Sequence, residues 1–269
     1  YTTKNIGLIC MTMSVLMLSG CQVVSVKNQK INVTISNERD SILTRSKMSE
    51  ASLNVLSMTG REAKTCAEDP ETCVQDLVKT PQIQDEQLLS TASEIYLAKA
   101  IELEASSNCK TSLFGKHQSK EKQKLQQVNY DDCLDQQLNM LDKSIRYSYA
   151  YLFKTERPPQ ARIFNNRQVQ IRDFYNQALS KLITTYSLRH KDQKITEQIN
   201  IGSSIYNIDY QDYSKLKNTK FDSLVSSYNL NFSGLRSSNR RDGVGAEFVA
   251  IPPQSKAPEQ SKGIIDPVH

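Results

Sequence analysis

The side chains best suited to covalent chemistry in this chain are its six cysteines, and their spacing limits what they can do. Cys66 and Cys73 bracket the short segment "CAEDPETC", while Cys109 and Cys133 bracket a polar stretch, "KTSLFGKHQSKEKQKLQQVNYDD". Zinc sites favour closely paired ligands of the C-x₂-C kind with histidines at matching intervals. Neither cysteine spacing has that form, and His117 is the one histidine near them. His190 follows an arginine at the expected end of a helix, where a cation is favoured by the helix dipole, and His269 stands in a polar tail. A serine nucleophile elbow needs G-x-S-x-G; "IGSSI" and "FSGLR" both lack its flanking glycines. No H-E-x-x-H, Walker A or G-x-G-x-x-G pattern occurs. The residues define no catalytic centre and call for no metal or cofactor. Disulfide formation is the chemistry left to the cysteines.

The leader explains how many of them are available. Residues 6–20 form an apolar run behind Lys4, shorter than the ~20 residues a membrane-spanning helix needs and suited to a signal-peptide core. The run ends Leu18-Ser19-Gly20-Cys21, which resembles the bacterial lipobox. In such signals the cysteine thiol receives a diacylglycerol, the chain is cut just before it, and the new amino terminus is acylated. Each buried methylene contributes about 0.8 kcal/mol, so two or more chains anchor durably where one does not. The resemblance implies that residues 1–20 are removed, that Cys21 carries lipid, and that the membrane is a partner. Gln22, standing where Asp is absent, implies a lipoprotein of the bacterial outer membrane facing the periplasm. Cys10 then leaves with the leader and Cys21 is consumed. The remaining four are an even number in an exported chain, which reads as disulfides. Three pairings are open; Cys66–Cys73 with Cys109–Cys133 is preferred, because "CAEDPETC" loops back through Pro70.

The elements that must position these residues are mainly helical. After a tether at 21–35, residues 36–192 read as a helical domain. Ser36 and Asn37 offer a cap, Ile42, Leu43, Leu53 and Leu56 fall at helical spacing, and Gly60 offers a stop. Leu88, Leu89, Ala92, Ile95 and Tyr96 trace the face of a second helix. Leu134, Leu138, Leu141, Ile145 and Leu152 trace a third, ended by Pro158-Pro159, and Ile171, Phe174, Ala178 and Leu182 a fourth. The tyrosines of "RYSYAYLF" read as core and rim in preference to a ligand groove. No clean repeat period emerges, so the expectation is an irregular helical bundle or a short helical-hairpin array. Residues 193–251 change character. "KITEQINIGSSIYNIDY" reads as a strand pair around a Gly-Ser turn, "SKLKNTKFDSLVSSYNL" as a short helix, and "NLNFSGLRSSNRRDGVGAEFVAI" as strand, turn and strand. Residues 252–269 read as a linker or truncated end. The 269 residues are 38% hydrophobic and 23% charged with a net charge of +5. The charges are interspersed and accompany no recognition module, so nucleic acid is not an expected partner.

Several segments carry a wider resemblance: "LNVLSMTGREA", "STASEIYLAKA", "NMLDKSIRYSYAYLF", "NRQVQIRDFYNQALSKLI" and "NFSGLRSSNRRDGVGAEFVA". With the lipobox, they resemble the N-terminal regions of large lipoproteins from Acinetobacter-like and Pseudomonas-like bacteria. In that family a helical portion precedes an α/β-hydrolase domain of the esterase or lipase kind. The resemblance implies that the strands after residue 193 begin an α/β domain and that the parent protein is a serine hydrolase. Its nucleophile, acid and histidine would lie downstream of this chain. Arg240, Arg241, Asp242 and Gly243 are candidates for a turn that docks on the hydrolase domain in cis, although a charged turn closing a hairpin is the simpler reading. The alternative role is a non-enzymatic scaffold or adaptor with an envelope protein as partner.

Overall fold

The computed structural model describes residues 25–28, 43, 47–110, 119–156, 166–190, 198–207, 223–226, 230–233, 243–251 and 266–268. Six helices account for most of them: α1 (Glu50–Met58), α2 (Ala63–Glu68), α3 (Pro70–Val78), α4 (Asp85–Ala105), α5 (Lys120–Phe153) and α6 (Asn166–Arg189). Seven short strands complete the described residues: β1 (Ser25–Asn28), β2 (Gln198–Ile201), β3 (Ser204–Asn207), β4 (Ser223–Ser226), β5 (Leu230–Ser233), β6 (Phe248–Ile251) and β7 (Asp266–Val268).

Helices α4, α5 and α6 form an up-down-up bundle. Ser144 donates to the Ser93 carbonyl and Gln137 to that of Ala100, so α5 runs against α4. Thr185 reaches Gln137 and Tyr149 meets Tyr175, so α6 runs against α5. Apolar residues at helical spacing bury between them, with Leu97, Leu141, Ile171, Phe174 and Leu182 all at 2% exposure or less. Burial of each such side chain contributes about 1.5–3 kcal/mol. Helix α4 is buried on two sides. Leu97 and Ala100 face this core, whereas Ala92, Ile95 and Tyr96 face a second one built with Leu56, Val74, Leu77 and the Cys66 and Cys73 side chains.

Helices α2 and α3 are where the expected loop around Pro70 differs from the fold. Pro70 opens α3, where its missing N–H costs nothing, and the Asp69 side chain caps that helix by accepting from the Thr72 amide at 3.2 Å. The first described helix starts at Glu50 with Ser49 as its cap, and the expected cap at Ser36 and Asn37 lies outside the described residues. Past the end of α1, Gly60 takes a φ of +67°, the left-handed geometry that closes helices with least strain. Helix α5 begins ten residues before Tyr130, so much of the expected polar insertion is helix instead.

The strands correct three further expectations. Ile199 and Ile201 of the β2–β3 hairpin join the bundle core, and its turn is made by Gly202 at φ +56°. A Cβ there would stand 3.1 Å from Asn139 Oδ1, so both conformation and space select glycine. Within the segment read as a short helix, residues 223–226 are strand β4. Strands β5 and β6 do not close a hairpin: β5 pairs with β1, and β6 lies between β4 and β7. Residues 25–28 of the expected tether and 266–268 of the expected linker are therefore sheet. All these ladders are antiparallel.

Candidate functional site

The cysteines pair locally. Cys66 of α2 bonds Cys73 of α3 (Cα–Cα 5.1 Å), and Cys109, after α4, bonds Cys133 of α5 (Cα–Cα 5.5 Å). The first bond fixes α3, whose inner face, Val74 and Leu77, is buried in the second core. Its adjoining face, which shares Val74, forms one wall of a cleft of about 550 Å³ against α4 and α5.

Spacing on α5 supplies the opposite wall. Lys143, Arg146 and Tyr147 lie three and four residues apart and share one face. Tyr147 stacks on Tyr96 of α4 with ring centroids 5.6 Å apart and planes inclined by 21°. Lys143 Nζ stands 5.5 Å above the Tyr96 ring and is ion-paired with Glu71 of α3. The Tyr96 hydroxyl also donates to Glu71, at 3.2 Å. Val74, Val78, Gln75 and Lys79 complete the cleft from α3. Burial, followed by the Glu71 charge, raises the pKa of both Tyr96 and Tyr147 above the usual phenol range. The described lining contains no serine, cysteine or histidine.

Two buried polar clusters hold the frame around the cleft. Glu94 of α4 has no solvent exposure. It accepts from the Ser49 amide at 2.7 Å, the Ser49 hydroxyl at 2.5 Å and the Ser52 hydroxyl at 2.6 Å. Arg167 of α6 donates to both serine hydroxyls at 2.7 Å and approaches Glu94 at 3.4 Å. Burial lowers the Arg167 pKa, against the raising effect of Glu94. The cluster ties α1, α4 and α6 together. In the second cluster, Asp142 of α5 accepts from Ser204 at 2.9 Å and from the Tyr206 hydroxyl, seating the β2–β3 hairpin. Burial and the Asp142 contact raise the Tyr206 pKa.

Raised phenol pKa values fix a pH dependence. Below a pH of about 10, the ordinary tyrosine value, these phenols are protonated in folded and unfolded chains alike, and their contribution to stability is fully present. Above it the unfolded chain loses phenol protons first, so stability falls as pH rises. Urea melts near pH 9 and near pH 11, with tyrosinate absorbance of the folded protein, should show this loss. Equal stability at the two would contradict it.

Among the remaining sequence candidates, Cys21, Arg240, Arg241, Asp242, His117 and His269 lie outside the described residues. Gly243 is described, and its carbonyl accepts from the Asn176 side chain of α6 at 3.0 Å. The Gly245 amide donates back to Asn176 at 2.7 Å, so one side chain clamps this turn to the bundle. His190 stacks on Tyr186 at 4.1 Å just past the end of α6. Of the "RYSYAYLF" tyrosines, Tyr151 is core and Tyr149 is rim, but Tyr147 lines the cleft. Glu71, Lys143 and Tyr96 carry no motif; their partnership depends on α3, a helix the apolar pattern did not reveal. Among the described residues there is no cluster of metal-ligating side chains, and no helix is long and apolar enough to cross a membrane. No family model matches the chain, and no curated protein or solved structure is detectably similar to it.

Proposed function

We propose that this chain is an exported lipoprotein, moored to the bacterial outer membrane through Cys21, whose helical bundle is a non-catalytic accessory module. The observation that carries this reading is the pair of disulfides, which persist in oxidising compartments and are rare in reducing ones. The lipobox-like Leu18-Ser19-Gly20-Cys21 supplies the anchor. The parent protein is a serine hydrolase of the esterase or lipase kind, with its catalytic domain beyond residue 269. Support for that part is the resemblance of the helical segments. The Asn176 clamp is compatible with it, since it fastens the strand-bearing segment to the bundle. A second reading, an envelope scaffold or adaptor, is favoured by the cleft, which offers a binding surface.

Mass spectrometry of the protein from bacterial membranes should find a diacylglyceryl-modified amino terminus at Cys21. An unmodified soluble chain would reject the anchor. Sequencing the genomic DNA past the codon for His269 separates the two roles: an open frame encoding G-x-S-x-G supports the hydrolase, and an immediate stop codon removes it.

A further inference from the structure

We infer that the α3–α5 cleft is a binding site for a small organic anion, a carboxylate or phosphate carried on an aromatic or similar ring. The inference goes beyond the envelope reading and does not depend on it. The cleft's size falls within the ~300–1,000 Å³ of small-molecule sites. Its charges are unevenly committed. Glu71, the one carboxylate of the lining, is already neutralised by Lys143 and bonded by Tyr96. Two cations at the rim, Lys79 and Arg146, make only long ion pairs. The acid nearest Lys79 is Asp76, 4.0 Å away and held at 2.7 Å by Arg61. The acid nearest Arg146 is Asp142, also 4.0 Å away and bonded to Ser204 and Tyr206. The side chains of Lys79 and Arg146 are 75% and 64% exposed, so both keep donors free for a ligand.

The cleft these cations border also offers apolar surface, from Val74, Val78, Tyr96 and Tyr147. Val78 is 57% exposed, and Tyr147 presents a half-buried ring. A guanidinium fork matches the oxygens of a carboxylate or phosphate in two parallel hydrogen bonds. A ligand whose anionic group meets Arg146 would lay its ring against Tyr147 and Val78. An inorganic ion would leave that apolar wall in water, and a neutral ring would leave the cations unpaired.

The test is an amide-resolved NMR titration of the disulfide-intact protein with phenyl phosphate, benzoate, benzamide and inorganic phosphate. Phenyl phosphate, benzoate or both should shift the amides of Val78, Lys79, Arg146 and Tyr147 with millimolar or tighter affinity, and the two arms identify the preferred head group. Benzamide and inorganic phosphate should bind at least about tenfold more weakly, because each supplies only half of the recognition. The Lys79→Gln/Arg146→Gln double variant, changed only at exposed side chains, should lose about tenfold in affinity for the ring anion. Equal binding of benzamide overturns the anionic part, and equal binding of inorganic phosphate overturns the ring. Absence of shifts at these four amides with every probe, or undiminished binding by the double variant, overturns the site.

Discussion

Replacing Glu94 by alanine is expected to cost about 3–5 kcal/mol of stability, the range for removing one member of a buried ion pair. The magnitude follows from what is left behind. Arg167 stays charged at neutral pH and is only 14% exposed, and the two serine hydroxyls and the Ser49 amide lose their acceptor. Each buried polar group stranded in this way carries a desolvation penalty of about 1–3 kcal/mol. For a chain of this size the melting temperature should fall by roughly 2–4 °C per kcal/mol. Glu94→Gln keeps the shape and part of the hydrogen bonding, and should cost less. The Glu94→Leu/Arg167→Met pair removes both charges together, and should cost less than Glu94→Ala alone, because no charge is left unpaired. Chemical melts of the four proteins test the ordering. A loss below about 1 kcal/mol for Glu94→Ala would mean that water already solvates Arg167.

The second large effect belongs to the disulfides. Cys109 and Cys133 are 24 residues apart and Cys66 and Cys73 only 7. If the bonds act by restricting the unfolded chain, the longer loop contributes about 3.5 kcal/mol and the shorter about 2.5 kcal/mol. Removing Cys109–Cys133 with paired alanines should therefore be the costlier change by about 1 kcal/mol. Burial acts the other way, since Cys66 and Cys73 are 1% and 4% exposed in the second core. Alanine there also opens space beside Val74 and Leu77. Reduction of the unaltered protein separates the two contributions, because it cuts the covalent link and keeps the sulfur atoms. Melts with and without reductant, on the wild type and on each alanine pair, should show the wild type losing more than either variant. Identical melts in both conditions would eliminate any structural role for the bonds.

The sequence made the three bundle helices legible because each carries a long apolar stripe: Leu88 to Tyr96, Leu134 to Leu152, and Ile171 to Leu182. Helices α2 and α3 escaped because they are 6 and 9 residues long and meet at Asp69-Pro70, a pair that also marks turns. With α3 unseen, the cleft it walls could not be found. The first turns of α5 escaped for the opposite reason: "KEKQKLQQVN" is almost wholly polar, and it is helical as the continuation of a helix anchored farther on. Glu94 lay inside "STASEIYLAKA", whose small residues were visible, but its burial depends on Arg167, 73 positions away. Burial of Gln177 was equally unmarked: it is fully buried, and neither amide atom has a hydrogen-bond partner among the described residues. Strand pairing was the least legible feature. The sequence around β5 offered β6 as a local partner, whereas the ladder forms with β1, some two hundred residues earlier, at a register no local signal marks.

That ladder has a mechanical consequence. Ser25 is paired in register with Ser233 and stands four residue steps along the chain from Cys21. Four residues stretch to at most about 14 Å. If Cys21 carries lipid as proposed, the β1–β5 ladder lies within that distance of the anchored residue, against about 50 Å for a free segment through residue 35. The longest described element beyond it is helix α5, 34 residues and about 51 Å from end to end. Tension applied through such an anchor would reach the fold first at the backbone hydrogen bonds between β1 and β5.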